Sequence, residues 1–452
     1  MAKDRQQLSM KEQRGQFFTT LQPVQEAMTS LIRHDTDASV LEPSAGRGDL
    51  VLAMERHGYR SIDAVEYDGS IDRICDTEIR TASFFDAFPV GTHDGTYDVV
   101  IGNPPYVAWK NLEAAQQEDG NVLAAKRGYS DKCNFYFLFI DRAIDLLADH
   151  GEMVLIVPKE WLYSTSAKPL RDKMVRSGTI TDIIDLNEER VFDDATPPAM
   201  MIFRYVRGQS QDGIRYRDGL AGEQGMKSLV RTQSHWLLVS EELGRRLEDA
   251  TPLGTLYTPR VGIVSGADSA YLVSDAGIAA SAAANGWRGF SRYITTDGVK
   301  TFVDPTGYEW EELSEQARRH LKDHETELRA RRIMRITDDN WFRYGAVRNR
   351  DAMLSDAERF YVRCRTRDVH PFFYDERYAR DGVCLYSGGI IGLFRNDGVD
   401  GRITRDAIME YLNGDTAADV FAAMGMTTGN KKTFMPSTLS ELPVPAAIVS
   451  HD

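Results

Sequence analysis

VLEPSAGRGDL, residues 40–50, sets a short apolar strand, an acid, a glycine-containing turn and a helix start in one run. Ser39–Leu41 closes the strand, and Gly46 and Gly48 make the turn. Leu50, Leu52, Ala53 and Met54 then recur at helical spacing through residues 49–57. The same alternation continues outward. Ile62–Val65 is a second predicted strand, ending at Glu66, and Tyr97–Ile101 is a third, ending at Asn103. Residues 134–148 carry Phe135, Leu138, Phe139, Arg142 and Leu146 three and four apart, which predicts a helix. Met153–Val157 reads as a buried strand stopped by Pro158. Strands alternating with helices predict an α/β unit with a parallel, doubly wound sheet. Such sheets bind ligands beyond the carboxyl ends of their strands. Glu42, Glu66, Asp86 and Asn103 all fall just there.

The 452 residues are enough for two or three domains. With 42% hydrophobic and 27% charged residues, the composition excludes a collagen-like or wholly disordered chain. No apolar run reaches the ~18–20 residues of a membrane helix. The polar start, MAKDRQQLSMKEQRG, has no signal-peptide core, and Cys75, Cys133, Cys364 and Cys384 form no CxxC pair. The expectation is a cytoplasmic protein with reduced thiols, no metal site and no membrane partner. After residue 208 the texture changes. GQSQDGIRYRDGLAGEQG (208–225) reads as a linker or exposed loops, and short β-like pieces follow, such as Ala270–Val273 and Arg359–Val362. Residues 276–284 and 416–423 are alanine-rich and predict plain helices. These features divide the chain into residues 1–208 and 209–452.

A net charge of −14 argues against a polycation that coats nucleic acid, but not against a local basic surface. Residues 1–210 hold 23 Lys+Arg against 33 Asp+Glu, so most of the negative charge belongs to the first part. In the second, seven arginines lie within residues 329–350, interleaved with Trp341, Phe342 and Tyr344. Arg359, Arg363, Arg365 and Arg367 follow beside Phe360 and Tyr361. Arginines among aromatics suit phosphate contact and base stacking. The plain alternative is a solvated face paired with nearby acids. The candidate DNA contacts are Arg331, Arg332, Arg343, Arg348, Arg363 and Arg365.

The most specific stretch is DVVIGNPPYVAW (98–109). Two consecutive prolines at a strand end stiffen the backbone and aim the Asn103 side-chain carbonyl and the Pro104 backbone carbonyl outward. Both are acceptors, so together they can hold both hydrogens of one planar NH2 group. That draws the nitrogen out of conjugation and makes it more nucleophilic, while Tyr106 offers a face to the ring that carries the amine. Upstream, the turn after Glu42 lets backbone approach a nucleoside. Glu66 can accept from ribose hydroxyls, and Asp86 in SFFDAF (83–88) can accept from an adenine amine, with Phe85 beside the ring.

NPPY after an EPSAGRG turn resembles the amino-group DNA methyltransferases that use S-adenosyl-L-methionine. RGQFFTT (14–20) is similar to the extra cofactor motif of their gamma class, the Taq-type adenine-N6 enzymes. Segments 261–273 and 431–445 look like pieces of that family's recognition domain. The resemblance implies a Rossmann-like methyltransferase sheet in residues 1–208 and an α+β target-recognition domain in 209–452. It implies that Asn103, Pro104 and Tyr106 hold the target adenine, with Phe192 of VFDDATPPAM (191–200) stacking on its other face. For the cofactor it implies Thr19 or Thr20, Glu42, Ser44, Ala45, Gly46, Gly48, Glu66, Phe85, Asp86 and Asn103. The family often has Thr-Pro where this chain has Thr19-Thr20. The implied partners are double-stranded DNA, read by a monomer, and a cognate restriction endonuclease unless the enzyme is an orphan methylase. NPPY also occurs in methyltransferases of RNA and of protein glutamine. A DNA-binding specificity protein without catalysis is the reading from a different class.

Overall fold

The computed structural model describes residues 17–449, apart from 188, 190, 193–198, 212, 286, 333–334 and 375–383. It divides into two compact units, Met1–Gly244 and Arg245–Asp452. Among the described residues no helix is long and apolar enough to cross a membrane.

The first unit is built on one ten-stranded sheet. Its elements are α1 (Gln22–Ser30), β1 (Ser39–Glu42), α2 (Asp49–Arg56), β2 (Ser61–Glu66), β3 (Ile79–Thr81) and β4 (Tyr97–Gly102). Then come α3 (Ala114–Arg127), α4 (Phe135–Leu146), β5 (Leu147–Pro158), α5 (Lys168–Ser177), β6 (Gly178–Asn187) and β7 (Met200–Arg207). β8 (Ile214–Asp218), β9 (Gln224–Arg231) and β10 (Trp236–Ser240) complete it. The strand order is β10-β9-β8-β6-β7-β5-β4-β1-β2-β3.

Alternate residues of the central strands face opposite ways. Val40, Val99, Ile101, Val154 and Ile156 pack under α1 and α2, against Val24, Met28, Leu50 and Met54. Leu41, Val100, Met153, Leu155 and Val157 pack on the other face with α4 and α5. A sheet covered on both faces needs strand centres that are apolar at successive positions, which is how Val99–Ile101 of β4 and Met153–Val157 of β5 read. The sheet is mixed, not purely parallel. β3, β2, β1, β4 and β5 run parallel, but β7 lies antiparallel between β5 and β6. The polar stretch 208–225 is no bare linker. It holds β8, which pairs parallel with β6, and leads into the antiparallel strands β9 and β10. Every residue of β9 is at least partly exposed, so its sequence lacks an apolar stripe.

The second unit is assembled from small sheets and short helices. One sheet orders Tyr257–Val261, Ile390–Arg395, Arg359–Arg363 and Phe372–Phe373, all antiparallel. Another orders Leu272–Val273, Gly298–Val303, Phe290–Thr295 and Cys384–Tyr386. The predicted strand at 270–273 is half right: Asp268–Tyr271 is a helical turn, and only Leu272–Val273 is extended. Ala276–Ala284 and Asp415–Ala423 are helices, as their alanine content predicts.

Candidate functional site

Strand order reverses between β1 and β4, and a switch point of this kind opens a crevice beyond the strand ends. Glu42–Ser44 leaves β1 there, and Asn103 leaves β4. An open cavity lies at this place, lined in part by Ser44, Gly46, Glu66, Phe85 and Asn103. The sequence nominated all five.

The turn after β1 is shaped by backbone constraints. Gly48 caps α2 at φ 92°, in the left-handed region, and a Cβ there would come within 2.4 Å of Cys75 Sγ. Gly46, at φ 54°, lies so close to the Phe18 ring that a Cβ would sit 2.8 Å from it. The Gly46 N–H donates to Glu66 Oε2 at 2.8 Å, and Asp68 N–H donates to Glu66 Oε1 at 2.9 Å. Glu66 is therefore aimed before any ligand arrives. Arg73 donates to the Gly46 carbonyl and secures the turn from outside.

Glu42 is 1% exposed and accepts the Ser44 N–H at 3.1 Å. Burial pushes its carboxyl up to about 8, the Ser44 hydrogen bond opposes this, and the charge of Glu66 adds to it. In the unfolded chain Glu42 titrates near 4.5, so the fold holds an extra proton between there and about 8. The associated stability is fully present below the unfolded value and is lost as pH rises through the folded one, at no more than ~1.4 kcal/mol per pH unit. Thermal unfolding of Glu42→Gln is expected to depend less steeply on pH between 5 and 8 than that of the native chain. Parallel pH profiles would exclude this burial effect.

Asn103 is held from three sides. Its Nδ2 donates to the Phe17 carbonyl at 2.7 Å and to Thr19 Oγ1 at 3.0 Å. Its Oδ1 accepts from the Tyr106 hydroxyl, which also lies 2.6 Å from the Ile156 carbonyl. Its backbone carbonyl accepts from Ser44 Oγ at 3.2 Å. These bonds set which end of the amide is oxygen, and its second lone pair stays available to a donor. Buried Gln25 donates to the Thr19 carbonyl at 2.7 Å, tying the 17–20 segment to α1. The rings of Phe17, Tyr106 and Phe192 form a cluster with centroids 5.5–6.5 Å apart. Burial and the Glu42 charge hold the Tyr106 phenol well above its usual range.

The structure departs from the sequence reading at several residues. Thr19 is buried on Asn103 and does not line the cavity, and Thr20 is half-buried beside it. Ala45 is buried, its N–H donating to the Val65 carbonyl at 2.8 Å, and Pro104 is buried between Asn103 and Tyr106. Asp86 is exposed and is not among the lining residues. The cavity gains Phe17, Phe18, Ser83, Asp119, Phe135 and Phe139, none of which the sequence nominated. The two phenylalanines of GQFFTT sit inside a recognisable motif, but nothing in the pattern around Asp119 marks it. Arg14–Gln16 and residues 193–198 of the quoted motifs lie outside the described residues.

The arginine clusters of the second unit need correction. Arg331 is buried and uses all five of its N–H groups inside the protein. They go to the carbonyls of Leu328, Ser265, Trp341 and Arg343 and to the Tyr271 hydroxyl. It cannot reach a phosphate. Trp341, Phe342 and Tyr344 are core residues, not stacking platforms. Arg343 pairs with Glu309 at 3.0 Å and Arg363 with Asp368 at 2.6 Å. Arg332, Arg348 and Arg365 are exposed. No group of three or more metal-binding side chains occurs among the described residues.

Residues 47–192 match the family model described as Eco57I restriction-modification methylase. The chain is 32% identical over 201 residues to the type II methyltransferase M.HincII of Haemophilus influenzae, covering 44% of this chain and 38% of that protein. It is 23% identical over 415 residues to the type II methyltransferase M.XhoI of Xanthomonas vasicola, covering 74% and 75%. Among solved structures, the type IIL restriction-modification enzyme MmeI in complex with DNA aligns with a TM-score of 0.48 at 10% identity, over 91% of this chain and 61% of that one. The chain spans less than two-fifths of the length of the first three curated relatives it matches.

Proposed function

We propose that this chain is a site-specific DNA adenine-N6 methyltransferase of restriction-modification type, acting as a monomer on an adenine flipped out of the duplex, alone or beside a cognate restriction endonuclease. The observation that carries the reading is the Asn103 carboxamide, oriented by Phe17, Thr19 and Tyr106 at the edge of the open cavity beyond β1 and β4. The methylase model over residues 47–192 and the type II methyltransferase relatives support the DNA substrate.

The cofactor is S-adenosyl-L-methionine, which supplies an electrophilic methyl group. The cavity suits it, with carboxylate acceptors at Glu66 and Asp119 and aromatic walls at Phe85, Phe135 and Phe139. Glu66 takes the ribose hydroxyls, while Ser44, Gly46 and the underlying Glu42 face the methionine portion. Asn103 Oδ1 and the Pro104 carbonyl accept the two hydrogens of the target amine and direct its lone pair. Thr19 is a positioning residue, because its hydroxyl fixes the Asn103 amide. Tyr106 and Phe192 stack on the base; Phe192 is buried and the Phe17 ring packs on both, so Phe17 moves aside for the base to enter. Flipping costs a few kcal/mol, and stacking offsets about 1–3 kcal/mol per base.

The second unit reads the DNA target, with Arg332, Arg348 and Arg365 holding phosphates. Each cation that neutralises a phosphate adds about 0.9 to the steepness with which log affinity falls against log salt. Reversing all three charges is expected to weaken DNA binding and flatten that slope by about 3 in a fluorescence anisotropy titration. An unchanged slope removes these arginines from the interface.

Modification mapping of genomic DNA from a host expressing the chain tests the whole reading. N6-methyladenine at one short sequence is expected. Methyl transfer to RNA or protein with none to DNA would refute it.

A further inference from the structure

Within the proposed cofactor reading, we infer that Asp119 of α3, steered by Ser83, recognises the exocyclic amine of the cofactor's adenine, in place of Asp86. At Phe84–Ala87 the chain makes one helical turn. Phe84 and Phe85 point into the core at 3% and 7% exposure, so the next residue, Asp86, points outward. The cavity wall beside Phe85 is completed by Ser83 from this turn and by Gln116 and Asp119 from α3. Gln116 and Asp119 are three apart, so they share a helix face.

Close packing brings that face to the cavity. A Cβ at Gly120 would lie 3.0 Å from the Trp109 ring and 3.1 Å from Leu138 of α4, an approach only glycine permits without displacement. Phe135 and Phe139 of the same helix α4 line the cavity. Ser83 and Asp119 line the same stretch of the cavity wall, and the Ser83 hydroxyl lowers the Asp119 carboxyl against the burial that raises it, so the carboxylate keeps lone pairs to accept from a ligand. Burial raises the Asp119 carboxyl somewhat, and the charges of Asp86 and Glu118 add to this. A carboxylate beside the apolar rings of Phe85, Phe135 and Phe139 suits a purine that presents an NH2 donor at its edge. It disfavours one that presents a carbonyl there.

The test is calorimetric binding of S-adenosylhomocysteine and of S-inosylhomocysteine, in which the 6-amino group is replaced by a 6-oxo group. The native chain is expected to prefer the adenosyl compound by about 10–100-fold, the range for one hydrogen bond to a charged group. Asp119→Asn is expected to abolish most of that preference, because an amide can donate to the 6-oxo group. Ser83→Ala should reduce it partly, and Asp86→Asn should leave it intact. The ratio of the two affinities within one variant does not depend on how much of that variant is folded. Full preference in Asp119→Asn, or its collapse in Asp86→Asn, would overturn the assignment while leaving the cofactor reading standing. A native chain that binds neither compound would overturn both.

Discussion

Asn103→Ala is expected to lower the rate of methyl transfer to DNA by at least ~10²–10³-fold, the loss seen when one preorganised polar group is removed from a reacting centre. The affinity for S-adenosylhomocysteine should change little, because Asn103 acts at the amine end of the site. Single-turnover transfer from labelled cofactor measures the first quantity and calorimetry the second. Asn103 also anchors the 17–20 segment through two hydrogen bonds, so some fall in thermal stability is expected too. Thr19→Ala separates the effects. It keeps the acceptor but loosens its orientation, so it should lower kcat by less than Asn103→Ala and leave KM for DNA nearly unchanged. Native-like turnover in Asn103→Ala would end the proposed mechanism.

Arg331→Ala is expected to destabilise the second unit by roughly 3–5 kcal/mol, the usual cost of breaking a buried charged network. Its guanidinium satisfies four carbonyls and one hydroxyl, drawn from segments 60–66 and 3–12 residues away. Removing it strands those acceptors in the core, at about 1–3 kcal/mol each before relaxation. Lysine does not rescue this, since one ammonium cannot reproduce a planar five-donor fork. Arg332→Ala is the control: an exposed neighbour should change stability by no more than ~0.5 kcal/mol. Chemical denaturation of the full chain reads both. Equal stabilities would show that Arg331 is not the hub of that core.

Much of the first unit is legible because its signals are local. The β1 turn and the α2 start depend on Gly46, Gly48 and a 3.6-residue apolar period, all contained within residues 39–56. Asn103 ends β4 with two prolines after it, so its exposure at a strand end follows from the chain itself. The aromatic cluster beside Asn103 is partly visible as well, in Tyr106 and Phe192. Phe17 completes it only because the chain doubles back 86 residues to meet Asn103. β8 and β9 are not legible in the same way, because they bury little of their side-chain surface and so carry no apolar alternation.

By itself, then, the sequence determined the strand–turn–helix grammar, the place of Glu42 and Glu66 after their strands, and the amide that faces the cavity. Each depends on neighbours within a few positions, where backbone geometry and periodicity act. Only the tertiary structure decided which of two acids reaches the cavity. Asp86 and Asp119 are equally plain in sequence, but the outward side of a helical turn excludes one, and tight packing at Gly120 delivers the other. It likewise sorted Arg331 from Arg332. Adjacent identical residues point in different directions, and whether a guanidinium meets carbonyls or water depends on chain segments brought in from elsewhere.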